Sequence, residues 1–199
     1  DTEISILEMG MDQTGDINFL SRLTKPDIAI ITNVGESHIE KLGSREKIAE
    51  AKYEIVDGLK DGGVLICSKD YPLLNALTDA EDNPQFEMYT AGISPDNAFA
   101  ISNISQTESG TRFEMSDFKV DIPQLGTHNA MNAALSLLAV KALGGDMEKS
   151  SMKFKQLKIS SMRMEQSLHE SGALIINDAY NASPSSMKSA INTVSEMDY

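Results

Sequence analysis

The stretch Asp27–Lys52, DIAIITNVGESHIEKLGSREKIAEAK, decides how the chain is read. Ile28 to Ile31 is a short apolar run that breaks at Thr32-Asn33. The chain then turns through Gly35-Glu36-Ser37-His38 and re-enters regular structure at Ser44. A run of this kind bounded by polar turn residues predicts a buried parallel strand whose C-terminal end opens into a loop. In open α/β sheets, ligands sit in the crevice outside those carboxyl ends. Glu36 and His38 are therefore candidates for chemistry, and an ordinary surface loop is the plainer reading of the same residues.

The segment after the loop sharpens that choice. With Ser44 as N-cap, Ile48, Ala51, Ile55, Val56 and Leu59 form one apolar stripe at helical spacing. Lys52 falls inside the stripe, while Lys47, Glu50 and Glu54 lie on other faces. A lysine in that position is paired, snorkels to water, or loses its charge. A lysine held near neutrality is also a nucleophilic amine.

Composition narrows the class. A chain of 199 residues that is 41% hydrophobic can bury a core and is not disordered by composition. A net charge of -13 argues against a general nucleic-acid or anionic-membrane binder. A lone cysteine, Cys67, in an apolar run excludes internal disulfides and fits a reducing cytoplasm. No apolar run in these residues approaches the length of a membrane span, and none reads as a signal peptide. The start at Asp1, almost directly into an apolar run, reads as an excerpt from a longer protein.

Outward from the central stretch, strand and helix signals alternate. Ile4–Glu8 predicts a short buried strand ending in a carboxylate. That arrangement places a magnesium ligand near phosphates in nucleotide-handling folds, or leaves a glutamate facing water. Asp16–Leu23 predicts a helix, stopped by Pro26. Val64–Cys67 and Glu87–Ala91 predict strands, with a helix over Tyr71–Leu77 between them. The alternation implies βαβ units and a mainly parallel sheet. Phe99–Ile122 changes character, predicting an antiparallel hairpin or meander around Glu108-Ser109-Gly110.

Leu125–Gly144 is the clearest helix, with Thr127 as N-cap and Gly144 at C′. His128, Asn129 and Asn132 cluster in its first turns, where free N–H groups and the positive dipole end lie. Asparagines there also serve as simple caps. Met147–Leu157 predicts one more helix, and Lys158–Met162 a polar domain boundary. Ala173–Asn177 predicts a strand whose terminal Asp178 can accept hydrogen bonds from ribose hydroxyls. Ser183 and Pro184 predict the cap and first residue of a last helix, Pro184–Met197.

The motifs NVGESHIEKLGS, AEAKYEI, Glu8-Met9-Gly10, Gly-Thr-His-Asn-x-x-Asn (Gly126–Asn132), Arg163-Met164-Glu165 and Asp-Ala-Tyr-Asn-Ala (Asp178–Ala182) together resemble the Mur ligase family. The likeness runs from Glu8 to about Met187. The form Gly-Glu-Ser-His, where the wider family has an aspartate before the histidine, is similar to the branch that adds D-Ala-D-Ala to UDP-N-acetylmuramoyl-tripeptide. Ser183 departs from the asparagine usual in the last loop.

The resemblance implies an ATP-dependent carboxylate–amine ligase of peptidoglycan precursor synthesis, working in the cytoplasm through an acyl-phosphate intermediate. It implies ATP and Mg²⁺, with Mn²⁺ able to substitute, and Glu8 and His38 as metal ligands. Lys52 would be carbamylated and help hold the metal. Asn132, supported by Asn129, would read adenine, Arg163 would reach the phosphates, and Asp178 would take the ribose. Lys52, His38 and Arg163 would thus serve catalysis.

The fold so implied is α/β: a P-loop-NTPase-like central domain over 1–162 with an added antiparallel segment, then the first β-α unit of a Rossmann-like C-terminal domain over 163–199. A Gly-x-x-x-x-Gly-Lys-Thr/Ser loop occurs nowhere in the 199 residues, so the chain is expected to be inactive alone. Another Mur ligase or a folylpolyglutamate synthetase would share the chemistry with a different acceptor. A non-catalytic nucleotide-binding or interaction module would lack it.

Overall fold

The computed structural model describes residues 2–36, 39–81, 85–107, 110–157, 161–195 and 197. The chain forms two compact units, Asp1–Ile66 with Tyr71–Met88, and Cys67–Asp70 with Tyr89–Tyr199.

In the first unit, helix α1 (Asp16–Thr24) starts where the Asp16 carboxylate accepts from the N–H groups of Asp12 and Gln13 at 2.8 and 3.0 Å. Glu54, distant in sequence, accepts from the N–H groups of Gly15 and Asn18, so a side chain satisfies donors that the first turn leaves free. Strand β1 (Ile28–Ile30) leads into the central loop, followed by the short helix α2 (Ile39–Leu42). Helix α3 (Arg45–Tyr53) is capped as expected, with Ser44 Oγ accepting from Lys47 N–H at 3.3 Å.

The helix then tightens into a 3-10 turn over Glu54–Gly58. Strand β2 (Val64–Cys67) pairs parallel with β1, Ala29 opposite Leu65, and helix α4 (Pro72–Asp79) follows. Ala29, Ile31, Val34, Ile48, Ala51, Leu65, Ile66 and Leu74 make the buried core. The strand predicted over Ile4–Glu8 is absent: these residues form no regular secondary structure, and Ile4, Ile6 and Leu7 are exposed. A β-prone run forms a strand only against a partner edge, and none of the described residues supplies one.

In the second unit, the end of strand β3 (Glu87–Gly92) pairs parallel with β4 (Phe99–Thr107), Ala91 opposite Phe99. Strands β5 (Gly110–Met115) and β6 (Phe118–Ile122) then add antiparallel, which is the predicted meander. The turn predicted at Glu108-Ser109 lies outside the described residues, as do residues 158–160 of the predicted boundary.

Helix α5 (Thr127–Ala142) lies over this meander, burying Ala130, Ala134, Leu135, Leu137 and Leu138 in the core that holds Phe113 and Met115. Its N-cap is Gly126, with φ 104°, and not the predicted Thr127, which is the first helical residue. The helix ends as predicted at Gly144: its N–H reaches Lys141 O and that of Gly145 reaches Val140 O, the paired closure of a Schellman turn.

Helix α6 (Met147–Ser151) passes into a 3-10 turn. Next comes a strand the sequence reading missed, β7 (Glu165–Leu168), antiparallel to β8 (Leu174–Asn177). Helix α7 (Pro184–Ser195) starts at the predicted proline, and Ser183 Oγ accepts from Ser186 N–H. The architecture is thus α/β with parallel strand pairs and an antiparallel addition, as expected. No helix among the described residues is long and apolar enough to cross a membrane.

Candidate functional site

In the first unit the central loop and α3 meet through Lys52. Packing of Ile48 and Ala51, both fully buried, fixes the helix face and carries Lys52 toward the chain leaving β1. The half-buried Lys52 donates from Nζ to the backbone oxygen of Asn33 at 2.8 Å and to its Oδ1 at 3.4 Å. Both acceptors are neutral, and no carboxylate pairs with the ammonium among the described residues. Burial holds its pKa below the usual 10.5. Of the three fates open to this lysine, the structure therefore combines hydrogen bonding with a weakened hold on its proton.

Glu8 is exposed and makes no hydrogen bond or ion pair among the described residues. Glu36 is half-buried at the loop. His38 lies outside the described residues. Among the described residues, no group of three or more His, Cys, Asp or Glu side chains is placed to hold a metal.

In the second unit, two features of the fold bring the other predicted residues into two neighbouring groups. At the start of α5, Asn129 turns its amide back to Leu125 O at 2.7 Å, so it ties the helix start to the preceding strand connection. Asn132, one turn on, is exposed, and its side-chain amide has no partner among the described residues. His128 Nδ1 lies 3.1 Å from Ser189 Oγ of α7. The residue is exposed overall, yet atoms around the ring displace enough water to hold its pKa below 6.5, with the negative charge of Asp178 pulling the other way.

The β7–β8 hairpin supplies the rest. Its register, Glu165 opposite Asn177, continues beyond the strands. Met164 N–H donates to Asp178 Oδ1 at 3.1 Å, and Tyr180 N–H donates to Met162 O at 3.1 Å. Arg163 and Asp178 are therefore held on facing arms of one hairpin, and the Arg163 guanidinium lies 4.2 Å from the centroid of the Tyr180 ring.

Sequence reasoning missed three contacts. Asn33 as the anchor of Lys52 carries no sequence signal, because a backbone oxygen accepts the shorter bond. Tyr180 under Arg163 and Ser189 against His128 depend on chain return. One signal was available: Glu170-Ser171-Gly172 repeats the Glu-Ser-Gly sequence of 108–110, and it closes the hairpin that pairs β7 with β8.

The chain thus combines an α/β strand–helix frame, a lysine drawn to a strand end, and an asparagine-bearing helix start with an Arg/Asp hairpin. The Mur ligase middle domain matches residues 1–140, and the chain belongs to that family. It is 45% identical over 199 residues to the UDP-N-acetylmuramoyl-tripeptide–D-alanyl-D-alanine ligase of Bacillus subtilis (strain 168), covering 99% of this chain and 42% of that protein. Identity to the ligase of the same name in Escherichia coli (strain K12) is 27%, over 98% of this chain and 44% of that one. The crystal structure of MurF ligase from Thermotoga maritima in complex with ADP superimposes with a TM-score of 0.83 at 26% identity, covering 96% of this chain and 44% of that chain. The chain thus spans less than half the length of these relatives.

Proposed function

We propose that this chain is the central ATP-binding part, with the start of the C-terminal domain, of a ligase that joins D-Ala-D-Ala to UDP-N-acetylmuramoyl-tripeptide. The observation that carries the reading is 45% identity across the whole chain to a ligase of that name. The division proposed is 1–162 and 163–199, with the β7–β8 hairpin opening the second part. A lone buried thiol, Cys67, suits a cytoplasmic enzyme.

The residues present fit the groups this chemistry requires. The Asn132 amide, unpartnered among the described residues, offers a donor and an acceptor for the adenine edge, and Asn129 holds the helix start beneath it. Asp178 spends one oxygen on Met164 N–H and keeps the other for ribose hydroxyls. Arg163 has no ion-pair partner among the described residues, so its charge is available to phosphate oxygens. Glu8 offers a carboxylate unpartnered among the described residues, the hard oxygen that Mg²⁺ takes. His38 is the second proposed ligand, and its imidazole nitrogen would accept Mn²⁺ as well.

Lys52 is proposed to be carbamylated. Its lowered pKa favours the neutral amine that adds to CO₂, and the product is an anion suited to a metal where an ammonium is not. Mg²⁺, when bound, draws charge from the γ-phosphate and the incoming carboxylate so that the two anions can meet. Arg163 orients and neutralises the phosphates, and Asp178 and Asn132 fix the nucleoside. The tripeptide carboxylate then attacks the γ-phosphorus and displaces ADP to give an acyl phosphate; the D-Ala-D-Ala amine attacks its acyl carbon, loses a proton and expels phosphate.

The test is phosphate release by the full-length protein with ATP, Mg²⁺, the UDP-tripeptide and D-Ala-D-Ala. Release that requires both acceptor substrates is expected. Release unaffected by omitting D-Ala-D-Ala would refute the reading.

A further inference from the structure

We propose that Tyr180 is the positioning residue of Arg163, presenting the guanidinium to the phosphates of the nucleotide; the inference rests on the nucleotide reading above. Arg163 lies on a connection where a long side chain would otherwise sample many rotamers. Three contacts remove that freedom. Tyr180 N–H holds Met162 O and Asp178 holds Met164 N–H, so the residues on both sides of Arg163 are pinned to the opposite arm. Met162 and Met164 both take left-handed backbone conformations, φ 58° and 51°, which non-glycine residues keep only when surroundings hold them there. The Tyr180 ring, 4.2 Å from the guanidinium carbon, then supplies a platform for the side chain itself.

The choice of an aromatic partner matters chemically. A carboxylate beside Arg163 would cancel its charge and occupy its N–H fork, whereas a ring face attracts the cation and leaves the in-plane donors free. Tyr180 is 61% exposed, so core filling does not account for its place.

In the full-length enzyme, Tyr180→Leu is expected to raise KM for ATP about two- to fivefold, the worth of an exposed ring–cation contact, with kcat changed less. Tyr180→Phe keeps the ring and should restore KM. In an Arg163→Ala background, Tyr180→Leu should add nothing further, because the ring then has no cation to hold. Equal effects of Tyr180→Leu with and without Arg163, or failure of Tyr180→Phe to restore KM, would overturn the inference. If Arg163→Ala raises KM for ATP and Tyr180→Leu does not, the inference falls and the nucleotide reading stands. If Arg163→Ala leaves KM for ATP unchanged, both fall together.

Discussion

Lys52 reaches from α3 to the backbone oxygen of Asn33, three residues beyond the end of β1, with Nζ at 2.8 Å. The bond fixes a nitrogen at the carboxyl end of a parallel strand, in surroundings that penalise its charge and, among the described residues, supply no anion. The proposed carbamate would form on this nitrogen.

In the full-length protein, Lys52→Ala is expected to lower ligase activity by about 10- to 100-fold, the range for removing a group that supports a metal site. A short carboxylate added to the assay should restore part of it. Lys52→Arg should be as impaired as Lys52→Ala, because a guanidinium cannot become a carbamate. Steady-state phosphate release checks all three, and an active Lys52→Arg enzyme would exclude the carbamate.

His128 makes stability pH-dependent on the acid side. Its folded-state pKa lies below the usual 6.5, so the unfolded chain takes up the proton first, and stability falls as pH drops from about 6.5 through the folded value. His128→Gln should flatten that part of the curve. Asp178→Asn removes the charge that favours the imidazolium, so the His128 pKa should fall further, read by NMR titration of the ring.

Two glycines should respond differently to alanine. At Gly126, φ is 104° and a Cβ would lie 2.6 Å from the His128 ring and 3.1 Å from Thr193 Oγ1. At Gly144, φ is 77° and nothing lies within 4 Å. Gly144→Ala should cost about 1–2 kcal/mol for backbone strain alone. Gly126→Ala should cost more, because strain and collision add. Urea denaturation of the two variants compares them directly.

Phe113 is fully buried at the centre of the meander beneath α5. Phe113→Ala is expected to cost about 3–5 kcal/mol, by loss of burial and by the cavity left behind. The measurement is the shift of the unfolding midpoint at unchanged slope.

Much of this was legible in the residues because the signals are local. Ser44 caps α3 and Ser183 caps α7 as read, since a cap needs only the hydroxyl and the N–H two or three residues on. The Gly144 closure was legible for the same reason. Thr127 was misread because the backbone at Gly126 leaves the helix in a conformation that only the packed neighbours select. The strand expected at Ile4–Glu8 failed on its missing partner, and β7 was overlooked because EQSL has little β character until β8 returns beside it.

The sequence by itself determined the alternation of strands and helices, the polar loop after β1, the inward lysine, and the family motifs. Periodicity and turn chemistry are properties of a few consecutive residues, and they need no distant partner. Tertiary structure alone decided that Lys52 is held by Asn33, that Arg163 rests on Tyr180, and that His128 meets Ser189. Each of those pairs joins residues that only chain return brings within reach, through a backbone oxygen, a ring face or a hydroxyl whose direction no local pattern specifies.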